Sequence, residues 1–225
     1  MRIFLCGQKS FGAAALKLCL ASGHRIAGVS SPAGRDRLTF EAGERGLPWM
    51  AAGALNAHAL PANTDLILAA HSHDFVGRTT RLRARLGAVG YHPSLLPRHR
   101  GRDAVEWAIK MGDPVTGGSV YWLGETVDGG DIAAQDWCFI RPDDTASELW
   151  RRDLFPMGLR LIAQVLKDLS AGVMVSIPQD PSLATWEPAI HGAPPLRRPD
   201  LLMLSDGREA GYTVIRERYA GYSNT

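Results

Sequence analysis

Arg2-Ile3-Phe4-Leu5-Cys6-Gly7 is a short apolar run that stops at a glycine, and residues 11–22 (FGAAALKLCLAS) follow with leucines set among alanines as a helix allows. Gly23 closes that helix, and residues 25–30 (RIAGVS) return to the β-branched, apolar content of a strand. Strand, helix and strand in so short a span predict a βαβ unit, whose two strands lie parallel and whose crossover is right-handed.

The same alternation extends outward from this unit. Residues 35–45 read as a polar helix and 47–50 as a short strand, while 65–70 (DLILAA) form the continuous apolar run of a strand buried on both faces. An amphipathic helix is expected over 79–86 (TTRLRARL) and a further strand over 87–92. A helix over 103–111 precedes two longer strands, 115–123 and 132–140, joined by a glycine-rich loop. A long helix over 145–169 should be kinked or split by Pro156. The expectation is an α/β fold: a doubly wound, Rossmann-like, mostly parallel sheet with helices on both faces, placing ligands at the carboxyl ends of the strands. Prolines punctuate residues 178–200, so a catalytic domain over 1–178 and an irregular extension over 179–225 are expected.

Composition narrows the classes. The chain has 225 residues, 45% hydrophobic and 21% charged, with 25 Lys+Arg against 23 Asp+Glu. A core of ordinary size is expected, and disorder, coiled coil and general polycationic binding of nucleic acid are not. No apolar run reaches the roughly 18 residues of a membrane helix, and the N-terminal run is too short for a secretion signal, so a soluble, cytoplasmic protein is expected. Cys6, Cys19 and Cys138 are scattered among apolar neighbours and read as buried thiols; no disulfide framework and no metal site is expected.

Two segments carry chemistry. The first is GYHPSLLPRHRG, residues 90–101, which places His92 at the end of a strand with a stiff turn behind it. The second is ETVDGGD, residues 125–131, whose carboxylates orient an imidazole, bind a cation or cap a turn. Arg98, Arg100 and Arg102 either hold a phosphorylated ligand or form a solvated loop.

HPSLLPRHRG, then AVEWAI, GDPVTGGSVYWL and VDGGDI resemble the 10-formyltetrahydrofolate-dependent formyltransferases, which act on methionyl-tRNA, glycinamide ribonucleotide or amino-sugar nucleotides. The likeness is strongest over residues 87–131. It implies His92 and Asp128 as the catalytic pair, with His92 as imidazolium stabilising an oxyanion and Asp128 orienting it and moving the amine proton. It further implies 10-formyltetrahydrofolate as formyl donor, held by Phe75, Val76, Leu123, Gly124 and Asp128, and a small primary amine near Gly90, Ser94, Arg98 and Arg102. The family asparagine two residues before the histidine falls on Gly90. Three readings follow: another donor, such as His71, His73 or a backbone N–H, fills the place; the acceptor's own group occupies it; or transfer is lost, leaving a 10-formyltetrahydrofolate hydrolase or a non-catalytic folate-binding protein.

The GQKSFG turn at residues 7–12 lacks the glycine/serine-rich loop of the glycinamide ribonucleotide enzymes, and too few residues follow Pro178 for the β-barrel of the tRNA enzymes. A small, phosphorylated or sugar-nucleotide amine is therefore the expected partner; nucleic acid is not, and a homodimer through the tail is an open alternative.

Overall fold

The computed structural model describes residues 1–72 and 74–190. Strand β1 (Arg2–Gly7), helix α1 (Lys9–Ala21) and strand β2 (Arg25–Ser31) form the expected parallel unit, with Ile3 paired to Ile26 and Cys6 to Ser30. Helix α2 (Arg37–Gly43) leads to the short strand β3 (Trp49–Ala51), and β4 (Leu66–Ala70) returns to the other side of β1. After α3 (Arg78–Arg81) come β5 (Ala88–His92), α4 (Ala104–Lys110), and the antiparallel strands β6 (Val115–Trp122) and β7 (Ile132–Phe139). The seven strands lie in the order β3-β2-β1-β4-β5-β6-β7, with β1 to β5 parallel. The chain reverses direction across the sheet at β1 and β4, so the carboxyl ends of β1, β4 and β5 open on one edge, where such sheets bind ligands.

Strand parity sorts the core. Ile3, Leu5, Leu66, Leu68, Val89 and Tyr91 face one side and are covered by α1, α2 and α6, the last supplying Leu161, Ile162, Val165 and Leu166. Phe4, Cys6, Ile67 and Ala88 face the other, under Leu55, Leu60, Val76 and Ala84. Gly90 and His92 therefore belong to the second face, which carries less helical cover.

One element differs from expectation and another takes one of its two expected forms. The helix over 79–86 is a single turn, α3, because the N–H groups of Arg85 and Leu86 donate to the carbonyls of Thr64 and Asp65 instead of continuing a helix, and the Arg85 guanidinium sits 2.7 Å from Asp65. Those bonds deliver the chain into β5. Over the long helical stretch, α5 (Ala146–Leu149) opens with a capping box between Thr145 and Glu148, then widens into a π-turn (Trp150–Leu154) before α6 (Phe155–Ser170). Pro156 has no N–H to return to the fourth residue before it, and the wider turn just ahead splits the stretch there, one of the two outcomes expected of that proline.

Residues 179–190, expected as the start of an irregular extension, lie against the domain. Thr185 accepts from the His99 N–H, Pro188 accepts from the Trp107 indole, and the Ile190 N–H donates to Asp103. The rest of the expected extension, including the expected lack of a β-barrel there, lies outside the described residues, as does His73. No helix among the described residues is long and apolar enough to cross a membrane. Cys6 and Cys19 are buried and Cys138 is partly so.

Candidate active site

His92 is the last residue of β5 and is 7% exposed. Its Nε2 lies 2.7 Å from the carbonyl oxygen of His99. A carbonyl only accepts, so Nε2 carries a hydrogen and Nδ1 is the ring atom left for proton chemistry. Nδ1 faces Asp128 Oδ2 at 3.6 Å, within ion-pair range and longer than a hydrogen bond.

The anchoring carbonyl comes from a tightly knitted loop. The Ser94 hydroxyl donates to the Arg98 carbonyl, and Ser119 Oγ donates to the Ser94 carbonyl while accepting from Leu96 N–H and from Gln135 Nε2. The Leu96–Pro97 peptide is cis. His99 itself has φ +53°, which turns its carbonyl onto His92 and its N–H onto Thr185 Oγ1. The His99 ring is buried between Asp113, at 2.8 Å, and Glu187, at 3.2 Å. Burial works to lower its pKa, but the hydrogen bonds and charges of those two carboxylates outweigh it and hold the imidazole above its ordinary value.

Asp128 sits in the loop between β6 and β7 with φ +50°, a left-handed conformation that Asp tolerates better than most residues. Each carboxylate oxygen has a donor: Gly101 N–H reaches Oδ2 at 2.8 Å and the Tyr121 hydroxyl reaches Oδ1 at 2.5 Å. Gln179 Nε2 donates to the carbonyls of Asp128 and Gly130, and its Oε1 accepts twice from the Arg100 guanidinium. One side chain from the C-terminal segment thus ties the aspartate loop to the histidine loop.

The segments expected to hold a folate, residues 72–76 and 123–128, are neighbours: Val76 and Leu123 pack on one apolar cluster, and the Arg78 and Glu125 side chains meet at 3.6 Å. Asp74 anchors the first by accepting from Ser30 Oγ, Ser72 Oγ and the Gly53 N–H. Phe75 projects outward, 79% exposed, and Leu123 and Gly124 are partly exposed. Val76 is 5% exposed and packs into the core cluster beneath this segment.

The expected acceptor residues divide. Gly90 lies beside His92, with the Tyr121 ring and Leu123 covering its side of the strand. Ser94 is fully buried with its hydroxyl donating to the Arg98 carbonyl, and the half-exposed Arg98 side chain pairs with Asp113 at 3.0 Å. Arg102 is exposed. His71 follows β4 and lies against Trp150, ring centroids 6.2 Å apart. Tyr121 and Gln179 were not singled out by sequence reasoning. Tyr121 had one available signal, its place on a strand that could pair with the glycine before His92; Gln179 had none, lying in a proline-rich tail.

A family model described as formyl transferase matches residues 50–165, a stretch containing both His92 and Asp128. The cytosolic 10-formyltetrahydrofolate dehydrogenase of Homo sapiens is 33% identical over 205 residues, covering 83% of this chain and 22% of that protein. The chain therefore spans about a fifth of that relative's length. Methionyl-tRNA formyltransferase of Lactobacillus delbrueckii subsp. bulgaricus is 34% identical over 134 residues, covering 60% of this chain and 42% of that one. Among solved structures, the N-formyltransferase from Helicobacter canadensis, in complex with folinic acid and dTDP-3-aminofucose, has a TM-score of 0.69 at 14% identity, covering 82% of this chain and 70% of that chain. That likeness is one of fold. With more than half of its length matched by the family model, across the segment that joins the two functional loops, this chain belongs to the formyl transferase family.

Proposed function

We propose that this chain transfers the formyl group of 10-formyltetrahydrofolate to a primary amine on a small acceptor, with His92 and Asp128 handling the proton. One observation supports the reading: each side-chain polar atom of the pair has a hydrogen-bond partner except His92 Nδ1, which faces Asp128 at ion-pair distance. The folate, when bound, supplies a formyl carbon already activated on its nitrogen. The residues present fit such a group, since an exposed aromatic, Phe75, and an aliphatic side chain, Leu123, stand on adjacent segments beside the backbone of Gly124.

The acceptor amine loses one proton as its new C–N bond forms, and the leaving nitrogen gains one, so the reaction needs a relay and no net proton from solvent. His92 Nδ1 holds a proton against the charge that develops on the formyl oxygen. Asp128 Oδ2 faces the same ring atom, receives the amine's proton and returns it to the leaving nitrogen as the C–N bond to the folate breaks. The bond from Nε2 to the His99 carbonyl keeps the ring orientation and the Nε2 proton fixed, so that only Nδ1 changes its protonation. Arg102, exposed beyond Gly101, is the cation available to a phosphorylated or sugar-nucleotide acceptor, Arg98 being held by Asp113.

A second reading, release of formate to water, draws on the covering of Gly90 by Tyr121 and Leu123, which leaves no side-chain amide there to hold an amine. The test is mass spectrometry of the purified chain with 10-formyltetrahydrofolate, alone and with a pool of amino-sugar nucleotides, amino acids and nucleosides. Transfer predicts a formylated amine that is absent with His92→Ala. Tetrahydrofolate and formate without any acceptor favour the hydrolase, and bound but unconverted folate overturns both.

A further inference from the structure

We propose that Tyr121 is a positioning residue for the proton relay: its ring covers Gly90, and its hydroxyl locks Asp128 so that one carboxylate oxygen faces His92. The inference rests on the reading of His92 and Asp128 as the reacting pair. Gly90 and Tyr121 are directly paired across the antiparallel β5–β6 ladder, as are His92 and Ser119. Any side chain at position 90 would begin 3.3 Å from Tyr121 Cε1 and 3.0 Å from Leu123 Cδ2. The glycine lets the ring approach the backbone of β5, as an aromatic does opposite a glycine in a sheet. That approach carries the hydroxyl past the strand to Asp128 Oδ1, at 2.5 Å.

The consequence is orientation. Without the phenol, Asp128 would keep a single side-chain anchor, the Gly101 N–H on Oδ2, and could rotate about it. With the phenol, Oδ2 stays directed at His92 Nδ1. Burial, then the charge of Asp128 and its hydrogen bond, push the Tyr121 hydroxyl well above its ordinary pKa, so it acts as a donor and not as a second base. Gly90 and Tyr121 thereby act as one unit. The place where the resemblance puts an amide is covered by a ring whose polar end serves the aspartate.

The experiment uses the full chain and two readouts. Nitrogen-15 spectra of the His92 ring, assigned by its loss in His92→Ala, should show the Nδ1 resonance displaced in Tyr121→Phe and Nε2 little changed; an unmoved Nδ1 overturns the proposal. In steady-state turnover of 10-formyltetrahydrofolate, Tyr121→Phe should lower kcat by about tenfold with KM unchanged, the scale of a displaced catalytic group. Adding Tyr121→Phe to Asp128→Asn should cost nothing more, whereas a full second loss would mean that Tyr121 does not act through Asp128. Should Tyr121→Phe fail to fold, the carbon-13 resonance of the Tyr121 Cζ in wild type and Asp128→Asn reads the same bond, and no change there overturns the proposal. If the wild type turns over no folate, the proposed function fails while the spectra still decide the positioning.

Discussion

The two faces of β5 solve different problems with alternate residues of one strand. On the helical face, Tyr91 packs against Phe11, 5.2 Å between ring centroids, in a cluster with Trp150 and Phe155, and its hydroxyl donates to the Leu154 carbonyl. Its fit is tight enough that a methyl at Gly158 would lie 2.6 Å from the ring. On the other face, His92 meets His99 and Asp128 through polar atoms, and Gly90 lies beneath the Tyr121 ring and Leu123. One face is specified by volume, the other by direction. Volume tolerates many sequences and is supplied here by helices, whereas direction needs particular atoms, supplied here by loops.

Substitutions on the two faces should therefore separate stability from turnover. His92→Ala should cost about a thousandfold in kcat/KM, or about 4 kcal/mol of barrier, with the melting transition little moved. A comparable loss of stability would erase the distinction. Gly158→Ala should do the reverse, destabilising by about 1–3 kcal/mol in urea unfolding through overpacking against Tyr91 while turnover per folded molecule is kept.

Gly90→Asn sharpens the contrast, because it puts a side chain where the directional face has already committed Tyr121 and Leu123. Turnover should fall by about tenfold as Tyr121 is displaced, with a stability loss of about 1 kcal/mol. A rise in amine formylation would instead mean that the ring yields and the amide was the missing group.

The smallest effect concerns the strap over the histidine loop. His99 has a raised pKa in the folded state, so its contribution to stability is complete below the ordinary histidine value, about 6.5, and is lost as pH rises through the raised one. Asp113 has the opposite sign. Its own burial works to raise its pKa, but His99 and Arg98 outweigh that and lower it, so its contribution is lost only as acid takes the pH down through the folded value. Glu187→Gln removes one of the two carboxylates facing His99, so the alkaline decline in the urea midpoint should be smaller and should end at lower pH. A decline that does not move would mean that Glu187 contributes little to the His99 charge.

Much of this was legible in the chain. The parallel strands announced themselves because burial on both faces demands uninterrupted apolar runs such as LILAA at β4. His92 and Asp128 were marked by their motif and by the strand end before one and the glycine-rich loop around the other. The short α3 was not legible, since the competing carbonyls of Thr64 and Asp65 lie elsewhere in the sequence. Nor was the inward turn of Val76, which depends on how Asp74 ties its segment to Ser30 and Gly53.

The sequence by itself determined the order of elements, the parallel half of the sheet and the edge on which His92 lies, because these follow from local periodicity and the handedness of short crossovers. Only the tertiary structure decided which atoms complete the site: the His99 carbonyl that settles the His92 tautomer, the phenol over Gly90 that holds Asp128, and the glutamine from the tail that joins the two loops. Those are single hydrogen bonds, two of them closing loops of seven residues and one reaching from position 179 to position 128. Each depends on a direction in space, which a linear pattern of residue types does not encode.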